Sequence, residues 1–268
     1  MRKPAIPLAV LCALVFCLIA NADILKVPNP EKFKKESTDK PRDTGPSRLG
    51  PVYAPLAEWL VARYGLADRT GIGVDIGGGS GSLVVELCKR SPKMHWIDLD
   101  INPSVFPDFF EKVQEAGIGG QVSAIFSDVQ WMALRDNYVD IAVSRGSYPF
   151  WDDKKAGFAE IWRILKPGGV AYIGRGFSEN LPVEVAREIR DSQIKRQAES
   201  ENKGEGKGEN KGNKIGKGFP NYSIEEAREE LQTIMRDLAI ETYTIIHPCP
   251  EGSEGINYGI WIEIRKSE

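Results

Sequence analysis

The stretch "GVDIGGGSGSL", residues Gly73–Leu83, places five glycines and two serines on and directly behind a short apolar run. Because glycine loses more backbone freedom on folding than other residues, such a cluster indicates a chain that must turn tightly or admit a close neighbour. The residues before the glycines predict a buried strand, and "SLVVELCKR" (82–90) is typical of an amphipathic helix. A strand, a glycine-rich turn and a helix in succession favour a nucleotide-cofactor site at the carboxyl edge of a sheet.

Strand and helix patterns alternate outward from this turn. A leading helix is predicted at 51–66, and two closing strands, "TYTIIH" and "IWIEIRK", are near enough in sequence to pair antiparallel. The other predicted strands are 72–76, 95–99, 122–126, 139–144 and 170–173, with helices at 82–89, 105–115, 156–165 and 183–196 and a helix stop at "KPGG". We therefore expect an α/β fold, an open and mostly parallel doubly wound sheet with helices on both faces.

Composition narrows the class of protein. The chain has 268 residues, a formal net charge of −3 and an isoelectric point near 5.7, which argues against broad binding to a phosphate backbone, so no nucleic-acid partner is expected. Cys12 and Cys17 lie in an apolar N-terminal run, and Cys88 and Cys249 are far apart. With only two histidines besides, neither a disulfide framework nor a metal site is expected.

The N-terminus carries a targeting signal with several interpretations. Arg2 and Lys3 precede an uncharged apolar run that ends near Ala20, and Ala20-Asn21-Ala22 fits a cleavage site after Ala22. Residues 1–22 are thus a signal peptide or, with residues 4–22 as the tether, a retained membrane anchor; a mis-assigned start codon is the third interpretation. Downstream lysines favour an anchor with the domain in the cytoplasm. Localisation is expected to be membrane-associated or exported, and residues 23–50 are expected to form a flexible linker.

A second low-complexity stretch interrupts the domain, which is expected to span residues 51–268. "ESENKGEGKGENKGNKIGKG" (199–218) is nearly free of aliphatic side chains, so it cannot bury enough surface to order itself. We expect a disordered insertion at 197–220 within one domain. Ordered structure resumes where Ser223 and Glu226 form a capping-box pattern.

The spacing of the glycines selects between two cofactor classes. The dinucleotide fingerprint G-x-G-x-x-G/A fits poorly, because Ser82 stands at its last position. The spacing acidic-x-G-x-G-x-G is met in full by Asp75, Gly77, Gly79 and Gly81. At these residues the chain resembles the class I S-adenosylmethionine-dependent methyltransferases.

The resemblance continues in order along the chain. "WIDLDINPSV" (96–105) is similar to the family's second strand, which implies that Asp100, with Asp98 as the fallback, binds both ribose hydroxyls. "IFSDVQ" (125–130) implies that Asp128 and Val129 contact the adenine. "NYVDIAVSRGSYPFWDD" and "AEIWRILKPGGVAYIG" resemble the fourth-strand and fifth-strand segments. The family's sheet is Rossmann-like, with seven strands of which the last is antiparallel.

Elementary chemistry agrees with these roles. S-adenosylmethionine is a zwitterion with a sulfonium cation, so its carboxylate needs N–H donors, which the glycine loop offers, and its ammonium needs an acceptor such as Asp75. A carboxylate at Asp100 can accept from two vicinal hydroxyls. The alternative for Asp100 and Asp128 is plain turn chemistry, because aspartate is common after strands.

The acceptor pocket is expected near the ends of strands four and five. Its candidate residues are Tyr53, Ser144, Arg145, Tyr148, Phe150, Trp151, Asp152 and Arg175. Phe150 and Trp151 are equally typical of packing residues, and the two arginines either bind an acidic acceptor or pair with Asp152 or Asp153. The sequence favours methyl transfer to a small molecule. A tethered or exported binding module without turnover is the alternative, and a nicotinamide-dependent dehydrogenase is a distant third.

Overall fold

A computed structural model of the chain describes residues 49–202 and 223–268, in which strands and helices alternate. The strands are β1 (Gly71–Ile76), β2 (Met94–Asp100), β3 (Val122–Phe126), β4 (Val139–Arg145), β5 (Leu165–Gly176), β6 (Tyr243–Ile246) and β7 (Gly259–Arg265). The helices are α1 (Gly50–Tyr64), α2 (Ser82–Arg90), α3 (Phe106–Ala116), α4 (Lys154–Ile164), α5 (Val183–Asn202) and α6 (Ile224–Asp237). Each element predicted from the sequence is present, most with ends within two residues of the prediction.

The seven strands form one sheet in the order β3-β2-β1-β4-β5-β7-β6. β7 runs antiparallel to both of its neighbours, and the pairs among β1 to β5 are parallel. The predicted Rossmann-like, doubly wound α/β fold with an antiparallel last strand is therefore confirmed. Strand order reverses direction between β1 and β4, and ligands of such sheets bind in the crevice beyond the carboxyl ends at that point.

The two faces of the sheet are covered by different helices because side chains alternate along each strand. Leu60 of α1 and Val84 of α2 pack on the face that holds Trp96, whereas Phe158 of α4 and Leu231 of α6 pack on the other. Trp96 is fully buried, and full burial of a large apolar side chain stabilises a fold by about 3 kcal/mol. The face of β2 that carries Trp96 also carries the polar residues of its carboxyl end.

Two elements differ from the prediction. Helix α4 ends at Ile164, before "KPGG", as predicted. Strand β5 begins directly afterwards, because Leu165 already pairs with Val139. The register then shifts over a bulge before Val170 pairs with Ile141. Helix α5 runs to Asn202, so the first residues of the predicted insertion at 197–220 are helical.

Ser223 caps α6 as predicted, since its hydroxyl accepts a hydrogen bond of 3.1 Å from the Glu226 N–H. Within the ranges 49–202 and 223–268, no helix combines the length and apolar character that crossing a bilayer requires. The signal or anchor at 1–22, nearly all of the linker at 23–50 and the insertion from 203 onward lie outside those ranges. They stay predictions.

Candidate functional site

The glycine loop joins β1 to α2 at the crevice. Gly77, Gly79 and Gly81 have φ angles of 70°, 62° and 71°, in the left-handed region that glycine adopts without a steric penalty. Gly78 is required by a close neighbour, because a Cβ at this position would lie 2.4 Å from Oδ2 of Asp98. The loop is tied to the neighbouring strand by a 2.6 Å hydrogen bond from the Gly77 N–H to the carbonyl oxygen of Leu99.

The upper side of the loop is open and presents backbone N–H donors. A Cβ placed on Gly79 would meet no atom of the described residues within 4 Å. Gly81 is the N-cap of α2 and brings no side-chain cap, so the first N–H groups of the helix remain for an anionic ligand. Lys112, which the sequence did not single out, donates to the hydroxyls of Ser80 and Ser82 at 2.6 and 2.9 Å.

Asp100 closes the loop from the side of β2. Its Oδ2 accepts from the Gly79 N–H at 2.9 Å, and its Oδ1 accepts from the Asn102 N–H at 2.8 Å. A carboxylate has about four lone-pair positions, so these two bonds leave capacity for further donors. The structure thus places Asp100 at the edge of the crevice, fixed in orientation and still able to accept from two hydroxyls.

Asp98 lies under the loop, where it is fully buried and in register with the almost fully buried Asp75. Neither carboxylate oxygen of Asp98 has a hydrogen-bond partner within the described part of the chain. Burial, with the charges of Asp75 and Asp100, raises the pKa of Asp98 to about 9. Burial and the charge of Asp100, opposed by Arg145, raise the pKa of Asp75 to about 7. Asp98, the fallback for the ribose hydroxyls, therefore lies beneath the loop with a raised pKa, and its contact with the ribose stays a prediction.

Asp128 lies beyond β3 and caps its own turn. Its Oδ1 accepts from the backbone N–H of Gln130 at 2.9 Å and from the side-chain amide at 3.1 Å. Val129 is buried in the core on the side of α4. The turn chemistry considered as the alternative for Asp128 is thus present, and the adenine contacts of Asp128 and Val129 stay predictions.

Three acceptor-pocket candidates belong to a packed layer beneath the end of β4. Ser144 and Tyr148 are each 1% exposed. The hydroxyl of Ser144 shares a 2.6 Å hydrogen bond with that of Ser147, which itself donates to the carbonyl oxygen of Ile76 at 2.9 Å. Trp151 donates from Nε1 to the same Ser147 oxygen at 3.1 Å. These contacts match the packing interpretation and make Ser147, absent from the prediction, the centre of the layer.

The other acceptor-side candidates gather around arginines. The guanidinium carbon of Arg145 lies 5.3 Å from the ring centroid of Tyr53 in α1, and that of Arg175 lies 5.9 Å from the ring of Phe150. Phe150 is 58% exposed, so its ring lies at the surface of the crevice. The guanidinium carbon of Arg190 in α5 lies 4.0 Å from the ring centroid of Phe177, and nothing in the local sequence distinguishes this arginine from other helical arginines.

The chain is similar in sequence to known methyltransferases. Residues 74–173, from β1 to β5, match the family model described as a methyltransferase domain. The chain is 26% identical over 118 residues to an uncharacterised methyltransferase, YdaC, of Bacillus subtilis, which is 44% of this chain and 62% of YdaC. It is 31% identical over 97 residues to the ubiquinone/menaquinone biosynthesis C-methyltransferase UbiE of Vibrio vulnificus, 36% of this chain and 37% of UbiE. The chain therefore spans less than two thirds of the length of these curated relatives.

Solved structures extend the likeness over most of the fold. A candidate S-adenosylmethionine-dependent methyltransferase of Methanococcus maripaludis superposes with a TM-score of 0.66 at 29% identity, covering 83% of this chain and 88% of that one. Sheet order, glycine loop and edge carboxylate are those of a Rossmann-like fold with a nucleotide-cofactor site. More narrowly, residues 74–173 match a methyltransferase domain, and the chain is similar to methyltransferases whose cofactor is S-adenosylmethionine.

The described residues fit that cofactor. Open space above Gly79 and the uncapped start of α2 suit a carboxylate, and the spare acceptor capacity of Asp100 suits vicinal hydroxyls. When bound, the cofactor supplies an electrophilic methyl group.

Proposed function

We propose that this chain transfers a methyl group from S-adenosylmethionine to a small molecule bound beyond the carboxyl ends of β4 and β5. The observation that supports this most is the bond from Gly79 N–H to Asp100, which couples the carboxylate for the ribose to the loop for the methionine end. In this proposal the ribose and the methionine moiety of one cofactor are bound by two parts of the site that are hydrogen-bonded to each other.

The chemistry asked of the protein is mainly positioning. Because a sulfonium methyl is already activated, holding the acceptor atom in line supplies most of the acceleration, and well-oriented reactants reach effective molarities of about 10⁵ M or more. A general base is required only for an acceptor atom that is protonated in its resting state. The aromatic surface of Tyr53 and Phe150 beside the crevice is suited to covering a bound acceptor and excluding water.

Titration calorimetry with S-adenosylmethionine tests the cofactor site. The full chain should bind one equivalent, and Asp100→Ala should bind at least tenfold more weakly, which corresponds to about 1.4 kcal/mol. Asp68→Ala is the matched control, because Asp68 is an exposed aspartate before β1, at the opposite edge of the sheet. Equal binding by Asp100→Ala and the wild type would remove Asp100 from the site, and absence of binding by the wild type would refute the proposal.

Turnover separates an enzyme from the alternative, a binding module that only retains the cofactor. Formation of S-adenosylhomocysteine is measured with a panel of small acceptors, including a quinone head group because relatives of about 30% identity act in quinone biosynthesis. Acceptor-dependent product supports methyl transfer. Tight cofactor binding with no product across the panel favours the binding module.

A further inference from the structure

Arg145 lies beside the glycine loop, at the end of β4. It is the last residue of that strand, two positions beyond Val143, which pairs with Asp75 of β1. Paired residues of parallel strands share a face, as do residues two apart on one strand, and two residues span about 7 Å. Arg145 is therefore on the same face as Asp75 and further toward the crevice. The turn after it touches the loop, because a Cβ on Gly77 would lie 2.4 Å from Cβ of Ser147.

Helix α1 covers the same face and orients the Arg145 side chain. The guanidinium carbon lies 5.3 Å from the ring centroid of Tyr53. Tyr53 packs against the buried cluster that includes Val143 of β4 and Leu83 of α2. An aromatic face attracts a guanidinium and fixes its plane, but it brings no negative charge. Arg145 is thus held on the side of the sheet that α1 and α2 cover.

The positive charge of Arg145 is not balanced by an ion pair with any residue in the ranges 49–202 and 223–268. Its Nε is buried without a hydrogen-bond partner in that part of the chain, and the two Nη nitrogens are not enclosed in this way. Burial lowers the pKa of Arg145, opposed by Tyr53 and Asp75 and aided by Arg175. A guanidinium carries several N–H donors, so most of the capacity of this group is left for an anion.

The opposite charges of Asp75 and Arg145 match an amino-acid zwitterion. Asp75 is 2% exposed and lies one residue before the end of β1. The first N–H groups of α2, which have no side-chain cap at Gly81, are on the same side of the sheet. The methionine end of the cofactor carries an ammonium group and a carboxylate. A planar guanidinium binds a carboxylate through two parallel N–H···O bonds, which a lysine ammonium does not.

We propose that Arg145 binds the carboxylate of S-adenosylmethionine, while Asp75 accepts from its ammonium group. This inference rests on the proposed methyl transfer, and it places Arg145, expected in the acceptor pocket, in the cofactor site. The carboxylate is then shared between Arg145 and the uncapped N–H groups of α2. Such a site discriminates against adenosyl compounds that lack the carboxylate, because the guanidinium would be left without its anion.

Decarboxylated S-adenosylmethionine is the probe, since it lacks the carboxylate and keeps the ammonium group, the sulfonium and the adenosine. Calorimetric titration of the full chain should show that S-adenosylmethionine binds about tenfold or more tightly than the probe. Arg145→Gln should bind S-adenosylmethionine about tenfold or more weakly than the wild type does, and should bind the probe at least as tightly as the wild type. Arg145→Lys, which keeps the charge and loses the planar fork, should lie between the two.

Arg135→Gln is the matched control. The guanidinium carbon of Arg135 also lies near a tyrosine ring, 4.5 Å from the centroid of Tyr138, but Arg135 precedes β4 at the opposite edge of the sheet. This variant should bind both compounds like the wild type. Thermal unfolding without ligand shows whether each variant is folded, and if Arg145→Gln is not, Arg145→Lys decides.

Three results would overturn the inference: equal binding of the two compounds by the wild type, equal weakening of both by Arg145→Gln, or loss of the preference in Arg135→Gln. The two proposals fail in different ways. If the wild type binds neither compound, the proposed function is rejected and the role of Arg145 with it. If Asp100→Ala weakens binding of S-adenosylmethionine and Arg145→Gln does not, only the role of Arg145 is rejected.

Discussion

Replacing Asp98 by asparagine should stabilise the protein at neutral and alkaline pH. The carboxyl group is fully buried beneath the glycine loop, with no hydrogen-bond partner for either oxygen in the described part of the chain. Burial and two neighbouring aspartates raise its pKa to about 9. The folded chain therefore holds a proton on Asp98 that the unfolded chain has released, because the pKa of an aspartate in an unfolded chain is about 3.9.

The magnitude follows from proton linkage. Where the folded state holds one more proton than the unfolded state, the free energy of unfolding falls by about 1.4 kcal/mol per pH unit. The stability associated with Asp98 is fully present below about pH 4 and is lost as the pH rises to about 9. Between pH 6 and pH 8 the loss is about 3 kcal/mol, and asparagine, which does not ionise, abolishes it. Its unpaired amide offsets part of the gain, by about 1–3 kcal/mol.

Urea unfolding at pH 6, 7 and 8 measures the difference between the wild type and Asp98→Asn. The slope of stability against pH should differ by about one proton. Asp75, with a pKa of about 7, titrates in both proteins and largely cancels. Asp140→Asn is the control. Burial raises the pKa of Asp140, but hydrogen bonds from Lys166 and from the N–H of Ile72 lower it overall, so this variant should lose stability instead. Parallel pH curves for the wild type and Asp98→Asn would show that Asp98 folds as a carboxylate and refute the reasoning.

Three further outcomes are expected. Gly78→Ala places a Cβ 2.4 Å from Asp98, so the midpoint of thermal unfolding should drop in line with an overpacking penalty of about 1–3 kcal/mol. Lys112→Ala removes the bonds to the two loop serines, and calorimetry should show severalfold weaker cofactor binding with little change in unfolding temperature. Burial opposes the lowering of the Glu263 pKa, but hydrogen bonds from Tyr64 and two arginines lower it, and Glu263→Gln weakens those bonds. Urea unfolding should show a loss of about 1–3 kcal/mol in the free energy of unfolding at pH 7, and this loss should shrink as the pH falls toward 4.

The glycine loop was predictable because its conformation is a local requirement. Three positive φ angles and the close approach of neighbouring side chains demand glycine at these positions, so residue identity alone carries the information. Asp98 and Asp100 are different, since they lie two residues apart on one face of β2 and look equivalent in the sequence. Only the folded loop distinguishes them, by covering Asp98 and by donating from Gly79 to Asp100.

Contacts between distant parts of the chain account for what the sequence did not reveal. Ser147 matters because Gly77, far away in sequence, has no side chain and leaves room for it. The sequence of helix α5 does not indicate which of its faces is buried. The side chain of Arg190 is positioned by a hydrogen bond to the carbonyl oxygen of Asn257, near the C-terminal end of the chain. The early start of β5 likewise depends on the pairing of Leu165 with Val139 across the sheet.

Strand β5 contains the end of the segment that matches known methyltransferases. The segment that matches the methyltransferase family ends at residue 173, two positions before Arg175, whereas Arg190 and Asn257 lie beyond it. Strand β7 pairs with β5, and Trp261 of β7 stacks on Tyr172 of β5 with ring centroids 4.7 Å apart. The matched segment thus contains the glycine loop and Asp100, the residues proposed to bind the cofactor. On the function proposed above, grafting residues 174–268 onto another methyltransferase should change the acceptor and leave the methyl donor unchanged.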